Sequence, residues 1–250
     1  MGRERNTDYK AISRGIASKF GQDGKPKLYI IAAEGDKTEY KYFNALTIKY
    51  EEDFRISNIH VEFIDREEGG NSDPKYVYET LLEFYKELEK TYKLGEYDEL
   101  WIIIDTDDYN SRERTISQIS EECDKNPIYK LCISNPCFEI WLILHFFDLE
   151  TSLQDCIPGN LEVIGLKDYI KNQHIKQRPR ICKKLWNMIH QSLKQPSNAQ
   201  VIEYTHQAIS RAKMLGECNP NDPDYPENKI GTEIYKLLEK LTQMSINPES

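Results

Sequence analysis

Leu100–Asp108 (LWIIIDTDD) sets five consecutive apolar residues directly before an aspartate-rich turn. An apolar run of this length predicts a short strand that is buried on both faces. Three similar runs lie at Lys27–Ala33, Ile59–Ile64 and Lys130–Ile133, and a helical pattern follows each of the four. Because strands that alternate with helices are typical of a mostly parallel sheet flanked by helices, the sequence predicts an α/β, Rossmann-like fold.

Three parts are predicted along the chain. They are a basic lead-in at residues 1–25, an α/β domain at 26–147, and a helical extension at 148–250 that packs on it. Asp73-Pro74 predicts a helix start, since Asp is a good helix cap and Pro suits the first helical position. The extension holds a proline-rich loop, Asn219–Pro226 (NPNDPDYP), and a final amphipathic helix at Ile230–Met244, and we expect no strand in it.

The composition excludes several classes of protein. The 250 residues carry 33 Lys+Arg and 42 Asp+Glu, a net charge of −9. No apolar run approaches the about 20 residues of a membrane span, and the start, MGRERNTDYK, lacks the apolar segment of a signal peptide. The six cysteines include no CxxC pair, which argues against a zinc ribbon. We expect a soluble, reduced, cytoplasmic protein that does not bind membranes, and its oligomeric state stays open.

Acidic residues follow the predicted strands. In an open parallel sheet, ligands bind beyond the carboxyl ends of the strands. Clustered carboxylates repel one another unless a cation neutralises them, and their hard oxygens suit Mg²⁺ or Mn²⁺, which stabilises negative oxygens in phosphodiester cleavage. If the chain stays extended past Ile104, Asp105 and Asp107 share one face. The expected catalytic residues are Glu34, Asp105 and Asp107; the expected metal ligands are Glu34, Asp105, Asp107 and Asp108; and the expected supporting residues are Glu39, Asn135 and Glu139.

Each of these residues also has a structural explanation. An Asp-x-Asp after a strand is often a turn or a helix cap, and Glu39 could contact only solvent. Glu139 is as readily a buried pairing residue, and we expect His145 to be a satisfied core histidine. The predicted convergence of the strand ends at one edge is what favours a functional reading of Glu34, Asp105 and Asp107.

A basic segment lies in the predicted extension. No Asp or Glu occurs from Tyr169 to Ile202. Such a segment can receive phosphates even in an acidic chain, because the distribution of charge matters more than its sum. The alternative is an ordinary solvated helical surface. The candidate nucleic-acid contacts are Lys171, Lys176, Arg178, Arg180, Lys183 and Lys184.

Three motifs resemble those of the RloB-like family, over about residues 26–242. Tyr29–Phe43 (YIIAAEGDKTEYKYF) is similar to a strand followed by E-G-x-x-T-E-x-x-Y-F. Trp101–Asp108 (WIIIDTDD) is similar to a strand that ends in D-x-D-D. Ser134–Phe146 (SNPCFEIWLILHF) resembles the most distinctive motif, S-N-P-x-F-E-x-W-L-L-x-H-F. The departures are small, and Thr106 stands where the family often has Arg.

The resemblance implies a Toprim-like domain that binds Mg²⁺. Glu34 then corresponds to the Toprim glutamate, and Asp105 with Asp107 to the acidic pair. The family's setting implies an effector of bacterial antiviral defence, commonly beside an ATPase partner. The expectation is a metal-dependent nuclease that acts on RNA, possibly tRNA, or on DNA.

Two other functions stay open. A strand followed by Asp-x-Asp also begins the haloacid dehalogenase site, where the first Asp is the nucleophile of a phosphatase. Against that, the acidic pair follows two βα units here, and Glu34 has no role in such a site. A non-catalytic effector or sensor subunit of an ATPase partner is the other alternative. The chain has no G-x-x-x-x-G-K-[ST] motif and is not itself a P-loop ATPase.

Overall fold

The computed structural model describes residues 26–35, 37–64, 73–107 and 109–243. The predicted lead-in at residues 1–25 and Asp108 lie outside these ranges. The strands are β1 Lys27–Ala33, β2 Ile59–Phe63, β3 Glu99–Asp105, β4 Tyr129–Asn135 and β5 Gly231–Thr232. The helices are α1 Thr38–Lys49, α2 Glu51–Ile56, α3 Pro74–Leu88, α4 Tyr109–Lys125, α5 Glu139–Leu144, α6 Leu153–Cys156, α7 Leu166–Lys171, α8 Arg178–Ser192, α9 Asn198–Ile202, α10 Thr205–Leu215 and α11 Ile234–Gln243, with a 3₁₀ turn at Ile175–Gln177.

The strands form one sheet in the order β2-β1-β3-β4-β5. β1 runs parallel to both β2 and β3, and β5 runs antiparallel to β4. Helices flank this mostly parallel sheet, as the alternation of strands and helices predicted, and the α/β, Rossmann-like fold class is confirmed. The apolar runs explain the strand positions, because every residue of β3 is buried, whereas most residues of the edge strand β2 are only partly buried.

The described residues divide into two compact units. The first lies within Met1–Ile103, Gln118–Leu131 and Thr242–Ser250, and the second comprises Ile104–Ser117 and Cys132–Leu241. In the first unit, α1 and α2 contact β2, and α3 contacts β1. The predicted helix start is confirmed, since the Asp73 carboxylate accepts a hydrogen bond of 2.8 Å from the Lys75 amide at the first turn of α3.

The second unit is built around α5, which contacts α8, α10 and β5. Five consecutive residues of this helix, Ile140–Leu144, are buried. His145 follows them with no exposed surface, and its Nδ1–H donates to the Trp141 carbonyl oxygen at 2.8 Å. The prediction of a satisfied core histidine is therefore confirmed.

The prediction that no strand follows residue 147 is wrong. Gly231–Thr232 forms β5 and pairs with Ser134 and Asn135 of β4. The Ser134 and Thr232 hydroxyls are 2.8 Å apart, and the Glu233 amide donates to the Ile133 carbonyl at 3.0 Å. A two-residue strand is too short to show an alternating pattern, which is why the sequence assigned these residues to the last helix. That helix, α11, begins at Ile234.

A search of the helices in the described ranges found none with the length and apolarity that crossing a membrane requires.

Candidate functional site

Residues 105–107 form an acidic loop at the end of β3. This acidic loop belongs to the second unit. Asp105 ends the strand and Thr106 comes next, and both are buried. The Thr106 amide donates to the Ser134 carbonyl at 2.8 Å, and the Asp107 amide donates to the Pro136 carbonyl at 3.0 Å. Two backbone hydrogen bonds therefore fix this loop against the chain at the end of β4.

Asp107 has a backbone φ of 41°. This left-handed conformation is uncommon for residues other than glycine, and Asp and Asn are among those that adopt it most readily. Because the strand ends at Asp105, the chain is not extended at Asp107, and the alternation of a strand does not put the two side chains on one face. The turn, and not a shared strand face, sets the direction of the second carboxylate.

Two buried carboxylate oxygens in this unit have no hydrogen-bond partner, Asp107 Oδ1 and Glu139 Oε2. The other Asp107 oxygen, Oδ2, is 3.5 Å from the Arg112 guanidinium, which also donates to the Asp105 carbonyl oxygen at 3.3 Å. Buried polar atoms almost always have a partner, so oxygens without one call for an explanation such as an unseen ion. Glu139 was expected only as a supporting residue, and its partnerless oxygen gives it the same chemical standing as Asp107.

Lys183 supplies positive charge to the same carboxylates. Burial alone would lower the pKa of its ammonium group, but Asp107, Cys137, Glu139 and Asp105 raise that pKa above its ordinary value. The lysine lies on α8, far along the chain from the acidic loop. The sequence predicted Lys183 only as one of several phosphate contacts, and no residue spacing indicated that it would meet the acidic residues.

The acidic residues near Lys183 offer few ligands for a metal ion. Within residues 26–35, 37–64, 73–107 and 109–243, no group of three or more His, Cys, Asp or Glu side chains is arranged to hold one. Mg²⁺ is often bound by only one or two carboxylates, with water and substrate phosphates completing its shell. The two partnerless oxygens of Asp107 and Glu139 are hard donors of the kind that such an ion prefers. Asp108, also predicted as a ligand, is outside the described residues.

Glu34 and Glu39 belong to the first unit, and both are buried. The Glu34 amide donates to the Ile103 carbonyl at 3.0 Å, which fixes the backbone just after β1. Glu39 is the second residue of α1, and its carboxylate rests against Gly35: a Cβ built on Gly35 would overlap it. A side chain at position 35 would therefore have to displace the buried carboxylate of Glu39, which does more than contact solvent.

Replacing Gly35 by alanine is expected to destabilise the protein by about 1–3 kcal/mol, because the added methyl group must displace the Glu39 side chain. Urea unfolding of the variant measures this loss. Gly95→Ala is the matched control, because its Cβ would meet only Asp98 Oδ2, at 3.8 Å. The double variant Gly35→Ala/Glu39→Ala should recover part of the loss. Equal destabilisation at Gly35 and Gly95 would contradict the explanation.

Asn135 holds a loop through its side-chain amide. Its Nδ2 donates to the carbonyl oxygens of Pro226 and Lys229, at 2.8 and 2.7 Å. The residue is almost fully buried. Its expected support of the site is therefore indirect, through the segment that contains Pro226 and Lys229.

The basic segment separates into surface cations and one buried arginine. Arg178 is 8% exposed, and its guanidinium donates to the carbonyl oxygens of Gln173, Lys171 and Glu227. Because Nε, Nη1 and Nη2 each donate to a backbone carbonyl, Arg178 makes a buried structural contact, and its role as a phosphate contact stays a prediction. Lys171 is partly exposed, and the remaining four candidates are exposed: Lys176, Arg180, Lys183 and Lys184.

Fold and site together define an α/β protein with an acidic loop at the end of a buried parallel strand. A model of the RloB-like proteins matches residues 29–241. The chain therefore belongs to the RloB-like family. No curated protein and no solved structure matches it.

Proposed function

We propose that this RloB-like protein is a metal-dependent nuclease built on a Toprim-like domain. The observation that carries the proposal is the pair of buried, partnerless carboxylate oxygens of Asp107 and Glu139, which lie with Asp105 near the Lys183 ammonium. A buried charge without enough partners is costly. A divalent cation would neutralise the carboxylates, and a phosphate group would pair with the Lys183 ammonium.

Each acidic residue has a proposed role. Asp105 and Asp107 hold Mg²⁺ or Mn²⁺, and Glu139 either contributes a further oxygen or orients them. When bound, the ion stabilises the negative charge that develops on the phosphate oxygens. The family motif adds Glu34, which we propose as a further ligand or as the group that moves a proton during cleavage. Glu39 supports the loop that carries Glu34.

The lysines have a separate role in this proposal. Lys183 is a compact point charge, suited to a phosphate oxygen, and the nearby acidic residues raise the pKa of its ammonium group, which keeps it protonated. Arg180, Lys184, Lys176 and Lys171 attract the backbone of the nucleic acid through a field that salt screens. Binding is therefore expected to weaken as salt rises, whatever the sequence of the substrate.

The biological setting extends the proposal. The resemblance to the RloB-like family supports RNA, possibly tRNA, or DNA as the substrate, and a role as a defence effector in the cytoplasm beside an ATPase partner. All six cysteines are free thiols in the structure, which suits a reducing compartment. No contact among the residues that the structure describes favours the phosphatase or the non-catalytic alternative, so these enter as outcomes of the test.

A cleavage assay tests the function. The purified protein is incubated with labelled tRNA, mixed RNA, single-stranded DNA and plasmid, with Mg²⁺ or Mn²⁺ against a chelator. We expect metal-dependent cutting that is lost in Asp105→Ala and Glu34→Gln. Cutting that survives both substitutions would reject the site, whereas phosphate release from a small ester without cutting would favour a phosphatase. Absence of both activities, also with an ATPase partner present, would favour the non-catalytic subunit.

Two neighbouring lysines sharpen the same assay. Both lysines are exposed. Lys183→Met removes the cation whose pKa the carboxylates raise, and Lys184→Met removes the charge at the next position of α8. Loss of one positioned charged donor is expected to slow cleavage by about a hundredfold or more. The Lys184 variant should alter only binding at low salt. Equal effects of the two changes would show that Lys183 is one surface charge among others.

A further inference from the structure

The proline-rich segment at residues 219–229 contains no helix or strand, yet it contacts three other elements of the second unit. Its sequence, NPNDPDYPENK, predicted only a loop. The functional site leaves it without a role, although its contacts lie around the acidic loop and at the start of α8. An irregular segment that is held at several points can position the residues that it contacts.

Tyr225 attaches the segment to the acidic loop. Its hydroxyl is 2.7 Å from the Thr106 hydroxyl, and both residues are buried. Its ring meets the Tyr109 ring edge to face, with the centroids 5.1 Å apart. Thr106 precedes Asp107 and Tyr109 follows it as the first residue of α4, so this one side chain contacts the chain both before and after that aspartate.

The same segment is held at two other places. Asn135, at the end of β4, donates to Pro226 and Lys229, as described above. Arg178 donates to the Glu227 carbonyl at 2.7 Å, and it is the first residue of the helix that carries Lys183. Within the segment, Lys229 Nζ lies 3.4 Å from Asp222 Oδ2. A continuous series of contacts therefore leads from the acidic loop, through Tyr225, Pro226 and Glu227, to α8.

We infer that Tyr225 is a positioning residue, and that the 219–229 segment sets where the Asp107 carboxylate lies relative to Lys183. This inference rests on the proposed function and adds a determinant of metal affinity to it. Asp107 occupies a left-handed backbone conformation, which persists only when its surroundings hold it. The Thr106–Tyr225 hydrogen bond is the side-chain contact that holds the residue immediately before it.

Tyr225→Phe tests the inference, because it removes one oxygen and keeps the ring against Tyr109. Binding of Mn²⁺ to the intact protein is measured from the electron paramagnetic resonance signal of free Mn²⁺. Loss of an outer-shell partner commonly lowers metal affinity by about 10–100-fold, and we expect a decrease of that size. The Mg²⁺ concentration for half-maximal cleavage should rise by a similar factor, with a much smaller change in the rate at saturating Mg²⁺.

Further variants separate positioning from simple stabilisation. Thr106→Val removes the other hydroxyl, and the double variant should bind Mn²⁺ no more weakly than the poorer single variant, because both remove one contact. Thr106→Ser keeps a hydroxyl and should retain most of the affinity. Tyr204→Phe makes the same change at an exposed tyrosine and should leave affinity unchanged.

The outcomes distinguish the inference from the function beneath it. Wild-type protein that binds no Mn²⁺ would reject the proposed metal site, and the inference with it. Wild-type protein that binds Mn²⁺, beside a folded Tyr225→Phe variant of equal affinity, would overturn the inference alone. A lower melting temperature without a change in Mn²⁺ affinity would also overturn it, because that is the signature of a purely structural contact.

Discussion

Asp107→Asn is expected to lower metal-dependent cleavage by about 10²–10⁴-fold, the range found when one charged catalytic group is lost. Asparagine keeps the shape of the side chain and tolerates the left-handed backbone at this position, so the loop should retain its conformation. The charge is lost, and with it the ion pair to Arg112. Single-turnover cleavage of the best substrate from the assay, corrected for the folded fraction, measures the effect.

Asp168→Asn is the matched control for this change. Asp168 is an exposed carboxylate in the same unit, on α7, and its substitution should leave cleavage within about twofold of wild type. Circular dichroism and urea unfolding show whether Asp107→Asn is folded. A folded variant that still cleaves at the wild-type rate would remove Asp107 from the site and leave its buried oxygen unexplained.

The stability of the protein is expected to fall steeply below pH 6 because of His145. Burial lowers the pKa of His145 to about 3, with the Arg211 charge acting in the same direction. The ordinary pKa of about 6.5 applies to the unfolded chain, so between these two values the unfolded state binds a proton that the native state does not. The contribution of neutral His145 to the free energy of unfolding is therefore complete above about pH 6.5, and it decreases as the pH falls toward 3.

The expected size of this effect follows from the two pKa values. From pH 6 to pH 4, His145 should account for a loss of about 2–3 kcal/mol in the free energy of unfolding. Urea unfolding at several pH values, for wild type and for His145→Gln, isolates this contribution, because the carboxylates titrate in both proteins. His206→Gln alters an exposed histidine and should keep the wild-type slope. Parallel pH profiles for wild type and His145→Gln would contradict the expectation.

The parts of the fold that the sequence predicted are those with strong local signals. β1 and β3 are continuous apolar runs, and α3 begins at an Asp-Pro pair, so burial and capping act over a few residues. β5 could not be predicted in this way, because two residues carry no periodicity. It exists only because Ser134 and Asn135 offer a partner about a hundred residues earlier in the chain.

The candidate site also combines residues with a local sequence signal and residues that only distant packing brings in. Glu34, Asp105 and Asp107 follow predicted strands, and a sheet's geometry is enough to single them out. Lys183 and Tyr225 come from distant segments, and their contacts depend on how the helices and the 219–229 segment pack. Arg178 shows the converse. Its charge and its place in a basic segment are those of a phosphate contact, but its guanidinium donates to three backbone carbonyls. Charge alone does not distinguish a surface cation from a buried donor.

The late pairing of β5 has a consequence for the folding of the chain. Until Gly231–Thr232 docks, the outer edge of β4 offers unpaired amides and carbonyls to any other strand, which is a route to aggregation. Closing so long a loop is slow compared with forming local helices. A chain shortened after residue 147 would keep that edge open permanently. Production of the α/β part alone is therefore expected to yield self-associating material, whereas a chain that includes β5 pairs the end of that edge at Ser134 and Asn135.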